Sequence, residues 1–407
     1  MTDLILPDAM QAPATRAVFT ALEQKGGKGC VRFVGGCVRN VLMDRPISDL
    51  DLSTQLTPDE TEEALVAAGI RSVPTGKEYG TITAVVDGEP YEITSLREDV
   101  ETDGRRAVVK YTTDWGKDAQ RRDFYVNALY ADIDGKVYDP TGFGLEDARA
   151  RRVRFIGEAE QRIREDYLRI LRFFRFTAGY AKDVDAASLA ACVALKDGID
   201  GLSGERLQQE LIKTLVQTAP LIAFQTMQAE GILAHILPGW HAVGRELPEL
   251  AHMIAISTDP ERRLLALLDG GCGLSADVLK TLQARLKFSQ RLFERLRAAG
   301  EAAILLSDVD EPLLRRLLYS RGRLAVEDAV CLLAAHLGRS PDALLGHVAT
   351  MEIPVFPTRG ADLIARGMTA GPEVGQRLKQ IETDWVNHDF SQSVIDRALD
   401  GPGKKPT

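Results

Sequence analysis

VRFVGGCVRNVLMDRPISDLDLST, residues 31–54, decides how the chain is read. VRFV is apolar and β-branched and predicts a strand that runs into Gly35 and Gly36. CVRNVLMD follows with helical spacing, Val38, Val41 and Leu42 falling on one side. In DLDLST, Asp49 and Asp51 alternate with Leu50 and Leu52. A period of two predicts a strand with leucines on one face and both carboxylates on the other. Neighbouring carboxylates repel, a divalent cation between them relieves the repulsion, and oxygen donors of this kind suit Mg²⁺. A glycine pair between strand and helix lets backbone N–H groups approach a phosphate, which a helix N-terminus also attracts. Singly, the glycine pair is a turn and the DxD a solvated strand edge. In this order they suggest a place for a nucleoside triphosphate and its metal.

At 407 residues the chain has room for two to four domains. A hydrophobic content of 45% and a charged content of 27% are ordinary for a globular protein. The net charge of −9 and the pI of 5.4 argue against nucleic acid as the main partner, but a local basic face suffices for one. Cys30, Cys37, Cys192, Cys272 and Cys331 form no CxxC pair and read as reduced thiols of a cytoplasmic protein. The acidic start, MTDLILPDAMQAP, lacks the apolar core of a signal peptide, and no run reaches the ~18 apolar residues of a membrane span. Nothing points to a membrane or a protein partner. The tail GPGKKPT reads as disordered.

In chain order, 14–24 predicts a helix, and Thr57-Pro58-Asp59-Glu60 opens another with an N-cap and an early proline. Residues 71–80 read as loop. TITAVVD (81–87) and YEITSLR (91–97) read as a hairpin with Glu92 on its second strand, either a functional carboxylate or a solvated one. Residues 98–115, EDVETDGRRAVVKYTTDW, read as a long polar loop. QRRDFYVNALYADIDG (120–135) sets Arg121, Arg122 and Asp123 at a helix start before an apolar segment, in which a buried Asn127 needs partners. Gly142 and Gly144 lie in a hinge-like stretch from Asp139 to Asp147, and Arg149, Arg151, Arg152 and Arg154 form a basic cluster that runs into a strand-like VRFIG. REDYLRILRFFRF (164–176) predicts one helix with Asp166, Arg169, Arg172 and Arg175 in a stripe and Leu168, Leu171 and Phe174 on another side. Beyond Gly179 the periodicity is helical throughout. Arg285, Lys287, Arg291, Arg295 and Arg297, then Arg315, Arg316, Arg321 and Arg323, read as an RNA-backbone grip or as solvated faces. The dipeptide His388-Asp389 has no spaced partners for a metal phosphohydrolase site.

GGCVR with DxD resembles the catalytic signature of the polymerase-β-like nucleotidyltransferases. Its form is similar to the class II branch of tRNA CCA-adding enzymes and bacterial poly(A) polymerases. The resemblance is strong over residues 30–180 and looser beyond. Three more segments carry it. RRDFYVNA resembles the family's RRDFTINA, with Tyr125 and Val126 as departures; REDYLRILRFFRF resembles EDxxRxLRxxRF without gaps; 356–385 resembles the tail segment that meets tRNA. Asn40 stands where the family has Asp, outside the metal pair, which predicts a change around the site rather than loss of activity.

The resemblance implies an α/β head with a mixed sheet (1–150), then all-α neck (151–220), body (221–300) and tail (301–407). It implies Asp49 and Asp51 as ligands of two Mg²⁺ ions, Glu92 as a third catalytic carboxylate, and Gly35, Gly36 and Arg39 on the phosphates. Arg122 meets triphosphate or ribose, and Arg172 and Arg175 belong to the nucleotide site. Loop positions Arg97, Asp103, Arg105 and Arg106 help the site pass from CTP to ATP. Asp166 accepts and Arg169 donates, which matches the N4 amino group of cytosine and the N6 amino group of adenine and turns away uracil O4 and guanine O6. The expected activity is template-independent CCA addition to tRNA from CTP and ATP. Poly(A) or A-only addition and a non-catalytic RNA-binding relative are the alternatives.

Overall fold

The computed structural model describes residues 4–103, 106–241, 246–306 and 310–400, with backbone alone for 99–103 and 106–109. The expected tail disorder and Arg105 lie outside the described residues. Two compact units divide the chain at Ile236/Leu237.

The first unit opens with α1 (Asp8–Gln11) and α2 (Pro13–Gly26). Then β1 (Val31–Val34), α3 (Gly36–Leu42) and β2 (Asp51–Thr54) form the 31–54 segment. α4 (Pro58–Ala67) carries the expected cap: Thr57 and Glu60 close a reciprocal capping box. β3 (Arg71–Gly76), β4 (Thr81–Val86), β5 (Glu89–Ser95), β6 (Arg97–Asp103) and β7 (Arg106–Tyr111) follow, then α5 (Trp115–Gln120), β8 (Tyr130–Ala131) and β9 (Val137–Tyr138). The sheet order is β3-β4-β5-β2-β1-β8-β9, with β2 and β5 parallel and the other pairs antiparallel. This is the mixed sheet expected of the head. α2 covers one face, where Phe19 meets Phe33 at 4.8 Å over Leu22, Val31 and Leu52. The parallel register pairs Asp51 with Glu92, and Arg32 lies opposite Ser53.

Several local expectations are corrected. Residues 71–76 form strand β3, because the edge of the sheet supplies partners that no local pattern announces. Residues 97–103 and 106–111 form a two-stranded antiparallel ribbon, β6 with β7, instead of a loop; Arg97 pairs with Tyr111 and Asp103 with Arg106. Arg121 caps the end of α5 rather than opening a helix. In VRFIG only Phe155 makes a bridge, to Phe124.

The helical part of this unit holds α6 (Gly144–Ala150), α7 (Ala159–Glu165), α8 (Leu168–Tyr180), α9 (Ala186–Ala194), α10 (Gly204–Leu215), α11 (Pro220–Ala229) and α12 (Leu233–Ile236). The single helix expected over 164–176 is broken. Asp166 sits at φ −158° between α7 and α8, and its Oδ1 accepts from the Leu168 N–H. Only Arg169, Arg172 and Arg175 share the helical stripe. Leu168, Leu171 and Phe174 are buried as expected, with Phe173 and Phe176 beside them.

The second unit is helical among its described residues: α13 (Pro248–Ile256), α14 (Pro260–Gly271), α15 (Ala276–Leu286), α16 (Gln290–Leu305), α17 (Glu311–Arg321), α18 (Arg323–Leu337), α19 (Asp342–Thr350), α20 (Gly360–Ala365), α21 (Pro372–Asn387) and α22 (Gln392–Asp400). Its leucine-rich core includes Leu314, Leu317, Leu318 and Val330. No described helix is long and apolar enough to cross a membrane.

Candidate active site

One cleft of about 850 Å³ in the first unit is lined by Gly35, Gly36, Asp49 and Asp51 from the head and by Asp166 and Arg169 from the helices. Among the described residues, nine cationic side chains line it against four carboxylates. In a chain of net charge −9 this is a concentrated positive surface that suits a polyanion.

Gly35 ends β1 at φ +64°, a backbone region that disfavours a side chain. A Cβ there would lie 3.6 Å from Arg122 Nη1. Arg122 Nε and Nη2 donate to Asp118 Oδ2, Nη2 reaches Ser53 Oγ at 3.2 Å, and Nε reaches the Tyr130 hydroxyl. Nη1 has no partner among the described residues and faces the glycine turn. Burial opposes the charge of Arg122, but Tyr130 and Asp118 outweigh it and hold the guanidinium protonated. Burial likewise opposes ionisation of Asp118; the charges of Arg122 and Arg121 and the Tyr130 hydroxyl win, and its carboxyl is held at about 2.

Arg39 is 5% exposed. It donates to Asn127 Oδ1 at 2.5 Å, to Asn40 Oδ1 and to the Tyr180 hydroxyl at 2.7 Å, and it stacks on the Tyr180 ring. Its acceptors are therefore neutral. Asn40 also donates from Nδ2 to the Pro46 carbonyl, which an ionised Asp could not do. Asn127 finds the partners its burial required, Arg39 and Asp123. Tyr125 points away from this network; its hydroxyl accepts from the Gly157 N–H.

Asp49 lies one turn of alternation ahead of β2, not on it, and accepts from Ser48 Oγ. Among the described residues no ion pair or hydrogen bond reaches the Asp51 carboxylate. Burial first, then the charges of Glu92 and Asp49, push its pKa up. Glu92 is exposed, across the parallel register from Asp51. Among the described residues no three His, Cys, Asp or Glu side chains form a metal cage. A magnesium ion in a nucleotide site needs only one or two carboxylates plus substrate phosphates. An unneutralised carboxylate pair at the edge of a cationic cleft fits that requirement.

Asp166 and Arg169 are brought to the same cleft but are not paired with each other. Asp166 Oδ2 accepts from Arg206 Nη2 at 2.6 Å. Arg169 Nη1 donates to Glu165 Oε2 and to the Arg162 carbonyl, and Nη2 donates to the Arg121 carbonyl at 3.4 Å. Arg172 holds Asp123 at 2.5 Å and Arg175 holds Glu210 at 2.6 Å. Arg206 and Lys213 of α10 line the cleft and escaped the sequence reading. Their signal was present: Arg206, Glu210 and Lys213 recur at four and three residues, one side of a helix.

The basic residues read as a possible RNA grip in the second unit are mostly committed elsewhere. Arg291 pairs with Glu261; Arg295 with Asp259, Glu261 and Asp328; Arg297 with Glu294 and Glu301; Arg315 with Glu311; Arg316 with Asp389; Arg321 with Glu301. In the first unit Arg152 and Arg154 turn onto Asp147.

Glycine turn, acidic pair and cationic cleft on one mixed sheet define a nucleotidyltransferase. Residues 31–154 match the Poly A polymerase head domain, and 183–243 match the probable RNA and SrmB-binding site of polymerase A. The human mitochondrial CCA tRNA nucleotidyltransferase 1 is 35% identical over 366 residues, 87% of this chain and 82% of its own. The CCA-adding enzyme of Lactobacillus delbrueckii subsp. bulgaricus is 31% identical over 370 residues, 89% of this chain and 90% of its own. The CCA-adding enzyme of Bacillus stearothermophilus, solved with CTP, superposes with a TM-score of 0.76 at 25% identity, covering 95% of this chain and 98% of that one. The chain belongs to the CCA tRNA nucleotidyltransferase family.

Proposed function

We propose that this chain adds C, C and A to the 3′ end of tRNA from CTP and ATP, without a nucleic acid template, in the cleft of its first unit. The observation that carries the reading is that the carboxylate pair, Asp49 and Asp51, and the base-facing pair, Asp166 and Arg169, line one cavity. The triphosphate lies against the Gly35-Gly36 turn, where Arg122 Nη1 is free to donate and Arg39 adds a buried positive charge. Arg172 and Arg175 extend the positive wall beside it. Asp49 and Asp51, with Glu92 adjacent, would hold Mg²⁺. When bound, the metal supplies charge neutralisation on the triphosphate and a lowered pKa for the attacking hydroxyl.

Base choice rests on side chains whose orientation is fixed before substrate arrives. Arg206 and the Leu168 N–H hold Asp166 as an acceptor, and Glu165 holds Arg169 as a donor. Cytosine and adenine offer an amino donor to the carboxylate. Uracil and guanine place a carbonyl oxygen there and leave buried polar groups unpaired. The β6–β7 ribbon stands where the family's loop for the CTP-to-ATP passage is expected, which favours complete CCA addition over CC-only addition. All five cysteines are unpaired and buried, in keeping with a reducing compartment such as the cytoplasm.

The test supplies CTP and ATP, separately and together, to tRNA transcripts lacking their last three nucleotides. Two additions with CTP alone and three with both support the reading. A long A tail, or a single A on every transcript, contradicts it.

A further inference from the structure

Arg39 differs from the other arginines of the cleft wall. Arg121, Arg122, Arg169, Arg172, Arg175 and Arg206 each hold a carboxylate of the fold. Among the described residues Arg39 holds none. Its Nε and Nη2 donate to Asn40 Oδ1, Nη2 also donates to the Tyr180 hydroxyl, and Nη1 donates to Asn127 Oδ1. The carboxylate of Asp123 lies one step further on, bonded to Asn127 Nδ2 and engaged by Arg172. A charge buried among neutral groups is unfavourable, and burial pushes the Arg39 pKa down. The second hydrogen of Nη1 has no acceptor among the described residues. The guanidinium stands at the glycine turn: a Cβ on Gly36 would lie 3.9 Å from Arg39 Nη2.

Asn40 sets this arrangement. The residue is half-buried and tied down twice. Its Nδ2 donates to the Pro46 carbonyl at 2.7 Å, and its own carbonyl accepts from the Arg45 N–H at 2.8 Å. With Nδ2 engaged by Pro46, the amide presents Oδ1 to Arg39. It grips Nε and Nη2 with one oxygen, as a carboxylate would, and brings no negative charge. This is also the position at which the sequence departs from the family's Asp.

We propose that Asn40 is a positioning residue that holds Arg39 at the glycine turn without neutralising it, so that the charge is left for the triphosphate of the incoming nucleotide. The inference rests on the reading above, that CTP and ATP bind against Gly35 and Gly36. A carboxylate at position 40 would accept from the same N–H groups, cancel the charge inside the fold and repel the polyphosphate. It would also face the Pro46 carbonyl with no hydrogen to offer. The electrostatic part of that change grows with the charge of the ligand, and a mere loss of shape does not.

The test measures equilibrium binding of CTP and of CMP to the full chain, unmodified and as Asn40→Asp and Asn40→Ala. Asn40→Asp should raise the Kd for CTP about tenfold or more and that for CMP about threefold or less. Asn40→Ala loses the same bond to Pro46 but adds no charge, and should move the two constants by a similar factor. Arg39→Gln keeps an amide donor without the charge and serves if Asn40→Asp fails to fold; it should weaken CTP about tenfold or more and CMP less. The inference is overturned if Asn40→Asp leaves CTP binding unchanged or moves CTP and CMP equally. A CTP-selective loss in Asn40→Ala as large as that in Asn40→Asp overturns it too, as does a folded Arg39→Gln that binds CTP normally. Should the unmodified protein incorporate nothing from CTP or ATP, the reading of the activity itself fails; normal incorporation with any of the overturning results fails the role of Asn40 alone.

Discussion

Two regions of this molecule are built from helices with closely spaced arginines, and they use them differently. On α14, α16 and α18 the guanidiniums of Arg262, Arg291 and Arg295 meet Asp259, Glu261, Glu327 and Asp328, and the charge is spent inside the fold. Around the cleft of the first unit, cations outnumber acids, Arg122 keeps a free Nη1, and Asp51 has no counter-charge at hydrogen-bond distance among the described residues. One region is neutralised and contributes stability. The other leaves charge unbalanced, at some cost to stability, where a charged substrate will complete it. Arginine spacing alone does not separate the two; the supply of acids within reach does.

Replacing Asp51 tests this contrast most severely. Asp51→Asn should lower single-turnover incorporation on the order of 10³-fold, the scale of losing one contact to transition-state charge. It should also raise the unfolding free energy, because a carboxyl whose pKa is pushed up is destabilising while ionised. Loss of both activity and stability would break the contrast. Next comes an exchange of arginines. Arg122→Ala should raise the Kd for CTP about a hundredfold, read by equilibrium binding. Arg295→Met should leave that Kd alone and cost about 1–2 kcal/mol in denaturant unfolding, since it removes three ion pairs while Asp328 keeps Arg262 and Glu261 keeps Arg291. The smallest effect concerns pH. The Asp118 carboxyl is held at about 2, below its unfolded value, so its contribution of about 2 kcal/mol is present above pH ~4 and disappears as the pH falls toward 2. The stability gap between the unmodified protein and Asp118→Asn should close over that window in acid-unfolding curves.

The 31–54 segment was legible because each of its signals is local: a β-branched run, a glycine pair, a 3.6 period and then a period of two. The capping box at Thr57 and the need of Asn127 for partners were legible for the same reason. What stayed hidden depends on distant chain. The β6–β7 ribbon looks like polar loop until its two halves are seen to pair. The backbone break at Asp166 is invisible to a periodicity that continues through it, yet it turns that carboxylate onto Arg206, forty residues on. Arg39 was legible as a residue following the glycine turn, while its burial beneath Tyr180 was set by a helix that packs from elsewhere in the chain.

The central claim is that Asp166, oriented beside the triphosphate cleft, stands in for a template base. Single-turnover incorporation of CTP and UTP onto a tRNA lacking its last three nucleotides, by the unmodified protein and by Asp166→Ala, tests it directly. The account predicts a preference for CTP of about 10⁴ in the unmodified protein that collapses to within about tenfold in the variant, with CTP binding weakened much less. A folded variant that keeps the full preference would contradict it.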